Sequence, residues 1–215
     1  MRCLLLDSDH FLSQASSASV VHADPLATAL RQRPSVARLP QCRIGDEGLA
    51  ALSSKLASVA EDDWRVTHLI LYKNKLTDAG VGSLLNALEA RPALIELDLR
   101  GNAISLALLA SAHFPLSLQT LQLGGNPLSA DGLASVCALI RNSERLTALN
   151  LRATKLSAVG VKQLASAIAE SKRCALRSLN LQANPIGDDG AESLVAALRA
   201  AKLDTLFLGK CEIAE

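Results

Sequence analysis

The sequence predicts an α/β solenoid of about seven stacked units. Three observations lead there. Aliphatic residues recur as L-x-x-L-x-L. A small, mostly amide-bearing residue follows at one fixed offset. An amphipathic run with a glycine near its start then closes each unit. The offset residues are Asn74, Asn102, Asn126, Thr154, Asn184 and Cys211, spaced from 24 residues (Asn102 to Asn126) to 30 residues (Thr154 to Asn184). A fixed internal period overrides the length prior, by which 215 residues would fill one or two compact domains.

The strand signal comes first in each unit. The leading aliphatics are Val66/Leu69/Leu71, Leu94/Leu97/Leu99, Leu118/Leu121/Leu123, Leu146/Leu149/Leu151, Leu176/Leu179/Leu181 and Leu203/Leu206/Leu208. L-x-L alternation puts both leucines on one face of a short strand. The asparagine that follows carries a donor and an acceptor. In a tight turn it can satisfy backbone groups left unpaired there, and stacked units then form a ladder. Thr154 and Cys211 bond less well, so their rungs should be looser. Two residues later an aliphatic returns: Leu76, Ile104, Leu128, Leu156, Ile186 or Ile213.

The helix signal comes second. Thr77, Ser129 and Ser157 have N-cap chemistry. Asp46, Glu47, Asp78, Asp188 and Asp189 put negative charge where helices start, a favoured place. Gly48, Gly80, Gly132, Gly160 and Gly190 recur at one position, where a side chain should not fit between turn and helix. Leu84 with Leu88, Val136 with Leu139 or Ile140, and Leu164 with Ile168 form the buried stripe.

This pattern resembles the leucine-rich-repeat family, L-x-x-L-x-L-x-x-N/C-x-L. The repeat length and the G-x-x-x-L-x-x-x-L back resemble its ribonuclease-inhibitor-like subclass, also found in NOD-like receptors and the Ran GTPase-activating protein. The resemblance covers Val66 to the end and extends to Pro34. It implies a right-handed horseshoe with parallel strands on the concave face and helices on the convex face. Residues 1–215 are then one domain. Residues 34–215 are regular repeats, with Leu39, Cys42, Ile44 and Gly48 in register and the last repeat truncated. Residues 1–33 are a degenerate or capping repeat, in which Met1, Leu4, Leu6, Asp9 and Phe11 have matching offsets and PLATALRQR supplies the helix.

Two irregularities stand out. The unit opening at Leu94 lacks the glycine, and Pro115 ends any helix in its SLALLASAHFPLS back, so the solenoid should thin there. The chain also stops at Glu215, after a strand and turn, with no polar cap in view. That end is expected either to continue in a longer chain or to assemble with something.

Composition excludes several function classes. Hydrophobic residues are 49% but aromatics only 2%, so a long aliphatic core is available. The formal charge is +1, from 22 basic and 21 acidic residues, which favours neither nucleic acid nor a membrane surface. No run is apolar for long enough to span a bilayer. The five cysteines form no C-x-x-C pair, and a reduced, cytoplasmic setting fits them. His10, His22, His68 and His113 are scattered away from ligand partners, so no metal or other cofactor is expected. GDEG and GDDG lack the alternating oxygens of a calcium loop and read as helix-start acids. No nucleophile elbow, phosphate loop or dinucleotide fingerprint occurs, and no cysteine has an identified base, so catalysis is not expected.

What remains is the strand face. The residues between the leucines should project from it: His68, Ile70, Tyr72 and Lys73; Glu96, Asp98 and Arg100; Gln122; Asn150 and Arg152; Asn180 and Gln182; and Phe207. Ile70 with Tyr72, and Phe207 near the other end, put apolar or aromatic groups where the fold does not require them. Such groups anchor interfaces. The expected role is therefore a non-catalytic scaffold that binds a protein partner on its concave face. Two alternatives are carried. Regulation of an enzyme such as a small GTPase would need an arginine held against the nucleotide, with Arg100 and Arg152 the candidates. A sensor-repeat fragment of a larger NOD-like receptor-type protein would depend on domains elsewhere.

Overall fold

The computed structural model describes residues 3–5, 35–58, 65–89, 93–107, 114–115, 117–172, 174–200 and 203–214, with the backbone alone for 3–5 and 196–200. Trp64, the expected helix in PLATALRQR, and residues 108–113 of the back that follows Asn102 lie outside these. Leucine pairs two residues apart produce eight three-residue strands: β1 (Cys3–Leu5), β2 (Val36–Arg38), β3 (His68–Ile70), β4 (Glu96–Asp98), β5 (Thr120–Gln122), β6 (Ala148–Asn150), β7 (Ser178–Asn180) and β8 (Thr205–Phe207). They form one parallel sheet in sequence order. The register has no slip. Leu4, Ala37, Leu69, Leu97, Leu121, Leu149, Leu179 and Leu206 stand side by side as one column. Register this strict follows from the pleat, since a one-residue slip would turn every leucine out of the core.

Among the described residues five helices run between the strands: α1 (Gly45–Ser58), α2 (Asp78–Glu89), α3 (Ala130–Asn142), α4 (Ala158–Glu170) and α5 (Gly187–Ala200). The result is a right-handed leucine-rich-repeat solenoid with strands on the concave face and helices on the convex face. Helix packs on helix between α1 and α2, α3 and α4, and α4 and α5. Between α2 and α3 lies the unit of Asn102. Among its described residues there is no α-helix, and Phe114 and Pro115 are buried. The thinning expected from Pro115 falls on residues 108–113 and 116, which lie outside the described residues.

The core is continuous from Ala37 to Cys211. Leu69, Leu97, Leu121 and Leu179 are no more than 1% exposed, as are Leu84, Leu88, Leu164 and Ile168 from the helical stripe. Each such side chain contributes about 1.5–3 kcal/mol of gross burial energy, largely offset by chain entropy. The recurrent glycines are places where helix meets turn. A Cβ on Gly132 would lie 2.0 Å from the Ser105 carbonyl oxygen, and one on Gly190 would lie 2.4 Å from Ile186 Cγ2.

The asparagine ladder holds the turns. Asn74 Oδ1 accepts from Cys42 N–H at 2.8 Å, and its Nδ2 donates to Leu39 O at 2.6 Å. Asn102 Oδ1 accepts from Asn74 N–H at 2.7 Å and Leu76 N–H at 3.1 Å. Each asparagine thus caps the turn of the unit before it. The two substituted rungs differ as their chemistry requires. Thr154 Oγ1 donates to Leu151 O in its own unit, and the Cys211 thiol donates to Leu181 O at 3.2 Å. Neither presents an amide oxygen to the preceding turn. There the backbone closes on itself instead, with Leu128 N–H donating to Asn126 O and Ile186 N–H to Asn184 O.

One helix cap departs from expectation. Ser129 Oγ accepts from Gly132 N–H at 3.0 Å, and Thr77 Oγ1 accepts weakly from Ala79 N–H at 3.4 Å. Ser157 sits at the N-cap without a side-chain bond.

Candidate functional site

The strand register arranges the expected partner-facing residues in rows. His68 and Glu96 share one row with Thr120, Ala148, Ser178 and Thr205. Ile70, Asp98, Gln122, Asn150, Asn180 and Phe207 form the second. The turns just beyond carry Tyr72, Lys73, Arg100, Arg152 and Gln182. The fold therefore brings all of these residues onto one side of the sheet, neighbours in a row being one strand spacing apart, about 4.8 Å.

Much of the second row also serves the turns. Asp98 Oδ1 accepts from Arg100 N–H at 3.0 Å, Asn150 Oδ1 from Arg152 N–H at 2.9 Å, and Asn180 Oδ1 from Gln182 N–H at 3.0 Å. These are Asx turns, the local bond that short amide and carboxylate side chains make two residues ahead. Asn150 Nδ2 also donates to Gln122 Oε1 at 2.8 Å.

Asp98 is not an outward-facing group. It is 1% exposed, and the Arg100 fork closes over it, Nε at 2.9 Å from Oδ1 and Nη2 at 2.6 Å from Oδ2. A buried carboxylate without such a partner would be strongly unfavourable. The Asp98 hydrogen bond in turn raises the Arg100 guanidinium above its ordinary pKa. Ile70 and Tyr72 are half-buried rather than fully projecting. The Tyr72 ring has Lys73 Nζ 5.0 Å and Arg100 Cζ 5.5 Å from its centroid, a cation–π arrangement. Phe207, at 43%, is the aromatic ring that stands out into solvent.

At the edge of the first row, Thr67 Oγ1 and His68 Nδ1 lie 2.8 Å apart, and His68 Nε2 is 3.9 Å from Glu96 Oε2. Among the described residues no group of His, Cys, Asp or Glu could hold a metal ion, and no helix is long and apolar enough to cross a membrane. The arrangement offers hydrogen-bonding amides, exposed cations and one open aromatic.

A second set of inter-unit bonds was not anticipated. Helix-start acids reach forward to the next unit: Asp46 accepts from Thr77 N–H and Oγ1, Asp78 from Ser105 N–H and Oγ and Leu106 N–H, and Asp188 from Ala214 N–H. The signal was in the sequence. An acid stands four residues after Cys42, Asn74 and Asn184, and Thr77 and Ser105 stand three after Asn74 and Asn102.

Comparison with known proteins agrees with this architecture. A family model described as Leucine Rich repeat matches residues 39–53, 115–137 and 174–195. Pig (Sus scrofa) ribonuclease inhibitor is 31% identical over 206 residues, covering 89% of this chain and 44% of that protein. Bovine (Bos taurus) NACHT, LRR and PYD domains-containing protein 5 is 33% identical over 185 residues, covering 81% of this chain and 16% of that protein. The chain thus spans less than half the length of each. Among solved structures, the C-terminal domain of Caenorhabditis elegans tropomodulin aligns with a TM-score of 0.48 at 12% identity, covering 82% of this chain and 90% of that one. By its repeat, its register and these relatives, the chain belongs to the leucine-rich-repeat family, in its ribonuclease-inhibitor-like branch.

Proposed function

We propose that the chain is a non-catalytic scaffold that binds a protein partner through its concave strand face, working in the cytoplasm as a single domain with residues 1–33 as a degenerate or capping repeat. The observation that carries this reading is the face itself. Rows of polar side chains in strict register, with Phe207 open to solvent, are more than the core requires. A relative named for inhibiting ribonuclease, itself a protein, makes protein the favoured class of partner. The free thiols of Cys137, Cys174 and Cys211 suit a reducing compartment. The enzyme-regulating alternative is disfavoured at Arg100, whose fork is committed to Asp98.

The test is comparative capture. The wild-type chain, a concave variant (Tyr72→Ser with Phe207→Ser) and a convex control (Val159→Ser) are used as baits, with melting curves confirming that each is folded. Proteins lost with the concave bait and kept with the convex one support the reading. Equal capture by all three folded baits overturns it.

A further inference from the structure

The exposed Val159 and Val195 stand on different helices with nothing to indicate what covers them, and the Cys137 thiol is buried. The turn-side rim of the concave face is charged instead.

The rim holds Arg43, Lys73, Lys75, Arg152, Lys155 and Lys210, all exposed. Among the described residues none of these has a carboxylate within ion-pair distance, whereas Arg100 is neutralised by Asp98. The nearest helix-start acids are already spent: Asp46, Asp78 and Asp188 bond to the following unit. Glu212, beside Lys210 at the far end, is an exposed acid on the rim itself, while Asp131 and Asp189 sit on helices at the convex side. The chain as a whole is close to neutral at +1, so the rim is a local concentration of positive charge.

The backbone beneath the rim is set by the repeating turn. Arg43, Lys73, Lys75, Lys155 and Lys210 all adopt left-handed backbone, with φ of 52°, 54°, 59°, 62° and 62°. A non-glycine residue there is disfavoured by about 1–2 kcal/mol. The same row of turns uses glycine at Gly101 and Gly125, with φ of 64° and 74°. The turn dictates the sign of φ but not the cation. Gln41, Ala153, Ala183 and Glu212 adopt the same backbone, so the left-handed turn belongs to the fold and only the cation is particular to the rim.

The rim also has a shape. Arg43, Lys73 and Lys75 form one cationic station and Arg152 with Lys155 a second. Between them Gly101, Gly124, Gly125 and Pro127 form a saddle with no polar side chain of their own, Lys73 leaning over Gly101 from one side and Asn150 and Arg152 over Gly124 from the other. From β3 to β6 is three strand spacings, about 15 Å.

We infer that this rim receives an acidic segment of a protein partner, which crosses the glycine saddle and sets carboxylates on the cationic station at either side. The inference rests on the protein-binding reading and specifies its chemistry. Protein is favoured over nucleic acid because the aromatic on the rim, Tyr72, is flanked by Lys73 and Arg100 and offers no open platform for stacking bases. It is favoured over an anionic membrane because no exposed large apolar side chain lies between the stations, Phe207 and Ile213 being at β8 and beyond.

The experiment measures fluorescence anisotropy of a labelled Glu-rich peptide titrated with the intact chain, alongside a short DNA duplex and phosphatidylserine-containing vesicles. Peptide binding that weakens with salt is expected. Lys73→Glu/Arg152→Glu/Lys155→Glu should reduce it by about tenfold or more, since charges across an interface set attraction and its salt dependence. Arg145→Glu/Lys162→Glu/Lys172→Glu makes the same change in net charge away from the rim and should leave binding within about twofold. Gly125→Glu puts a carboxylate on the saddle, on backbone that Lys73 and Lys210 tolerate in the same row, and should weaken binding too. Equal weakening by both triple variants, no effect of Gly125→Glu, or stronger binding of DNA or vesicles than of peptide overturns the inference. Absence of peptide binding overturns it as well. If proteins captured in the comparison above are still lost with the Tyr72/Phe207 variant, the scaffold reading survives that failure.

Discussion

Replacing Asn184 with alanine tests the ladder where its bonding is fullest. The side chain is 1% exposed. Its Oδ1 accepts from Thr154 N–H at 2.9 Å and Leu156 N–H at 3.0 Å, and its Nδ2 donates to Leu151 O and Leu181 O at 2.8 Å each. Alanine removes these four bonds and the longer ones to Thr154 Oγ1 at 3.3 Å and Gln182 O at 3.4 Å, but not every group is orphaned. Leu151 O keeps Thr154 Oγ1, and Leu181 O keeps the Cys211 thiol. Leu156 N–H can turn to the carbonyl of Thr154, as Leu128 N–H already does to that of Asn126. Thr154 N–H has no comparable substitute. One buried donor without an acceptor costs about 1–3 kcal/mol, and the weaker replacement bonds add about 1 kcal/mol. The expected loss is about 2–4 kcal/mol, read from urea denaturation followed by circular dichroism, with Val159→Ala as the control at a 70% exposed site. A loss no larger than that of the control would refute the claim that the amide, rather than the leucine column alone, holds the turn.

Three further outcomes follow from the same geometry. Thr154→Asn should stabilise the chain by about 1 kcal/mol, because an amide there can accept from the Leu128 N–H that now turns back to Asn126; a lower urea midpoint than wild type contradicts this. Gly132→Ala, whose Cβ would meet Ser105 O at 2.0 Å, should cost about 1–3 kcal/mol or more from overpacking. Gly187→Ala, at φ +62° with open space around it, should cost about 1 kcal/mol from the backbone alone, and paired denaturation curves decide the order. Burial pushes the Cys137 thiol above its usual pKa, so less thiolate is present at mildly alkaline pH. Cys174, only half-buried, should therefore be alkylated before Cys137 in the native protein, as peptide mapping by mass spectrometry can show.

The repeat was legible because its cause is local and periodic. Leu69, Leu97, Leu121 and Leu149 recur at a spacing that permits burial only if successive coils lie against one another, and the sheet stacks those residues in one column. Asn74 and Asn102 were readable as turn caps from their chemistry and offset, and Pro115 as the end of a helical back. The recurrent glycines were readable as contact points for the same reason.

What the linear chain did not disclose is which polar groups are spent internally. That depends on partners from the neighbouring coil and on side-chain direction within the turn. Asp98 reads as a surface carboxylate, yet the Arg100 fork buries it. Tyr72 reads as an open anchor, yet cations of its own coil and of the next flank its ring. Asp46 and Asp78 read as helix-start charges, yet each also bonds a coil more than 25 residues away. Periodicity by itself determined the winding, because burial of apolar area depends on phase. The tertiary structure decided which polar atoms of the strand face stay open, because such an atom is free only when no neighbouring coil has already claimed it.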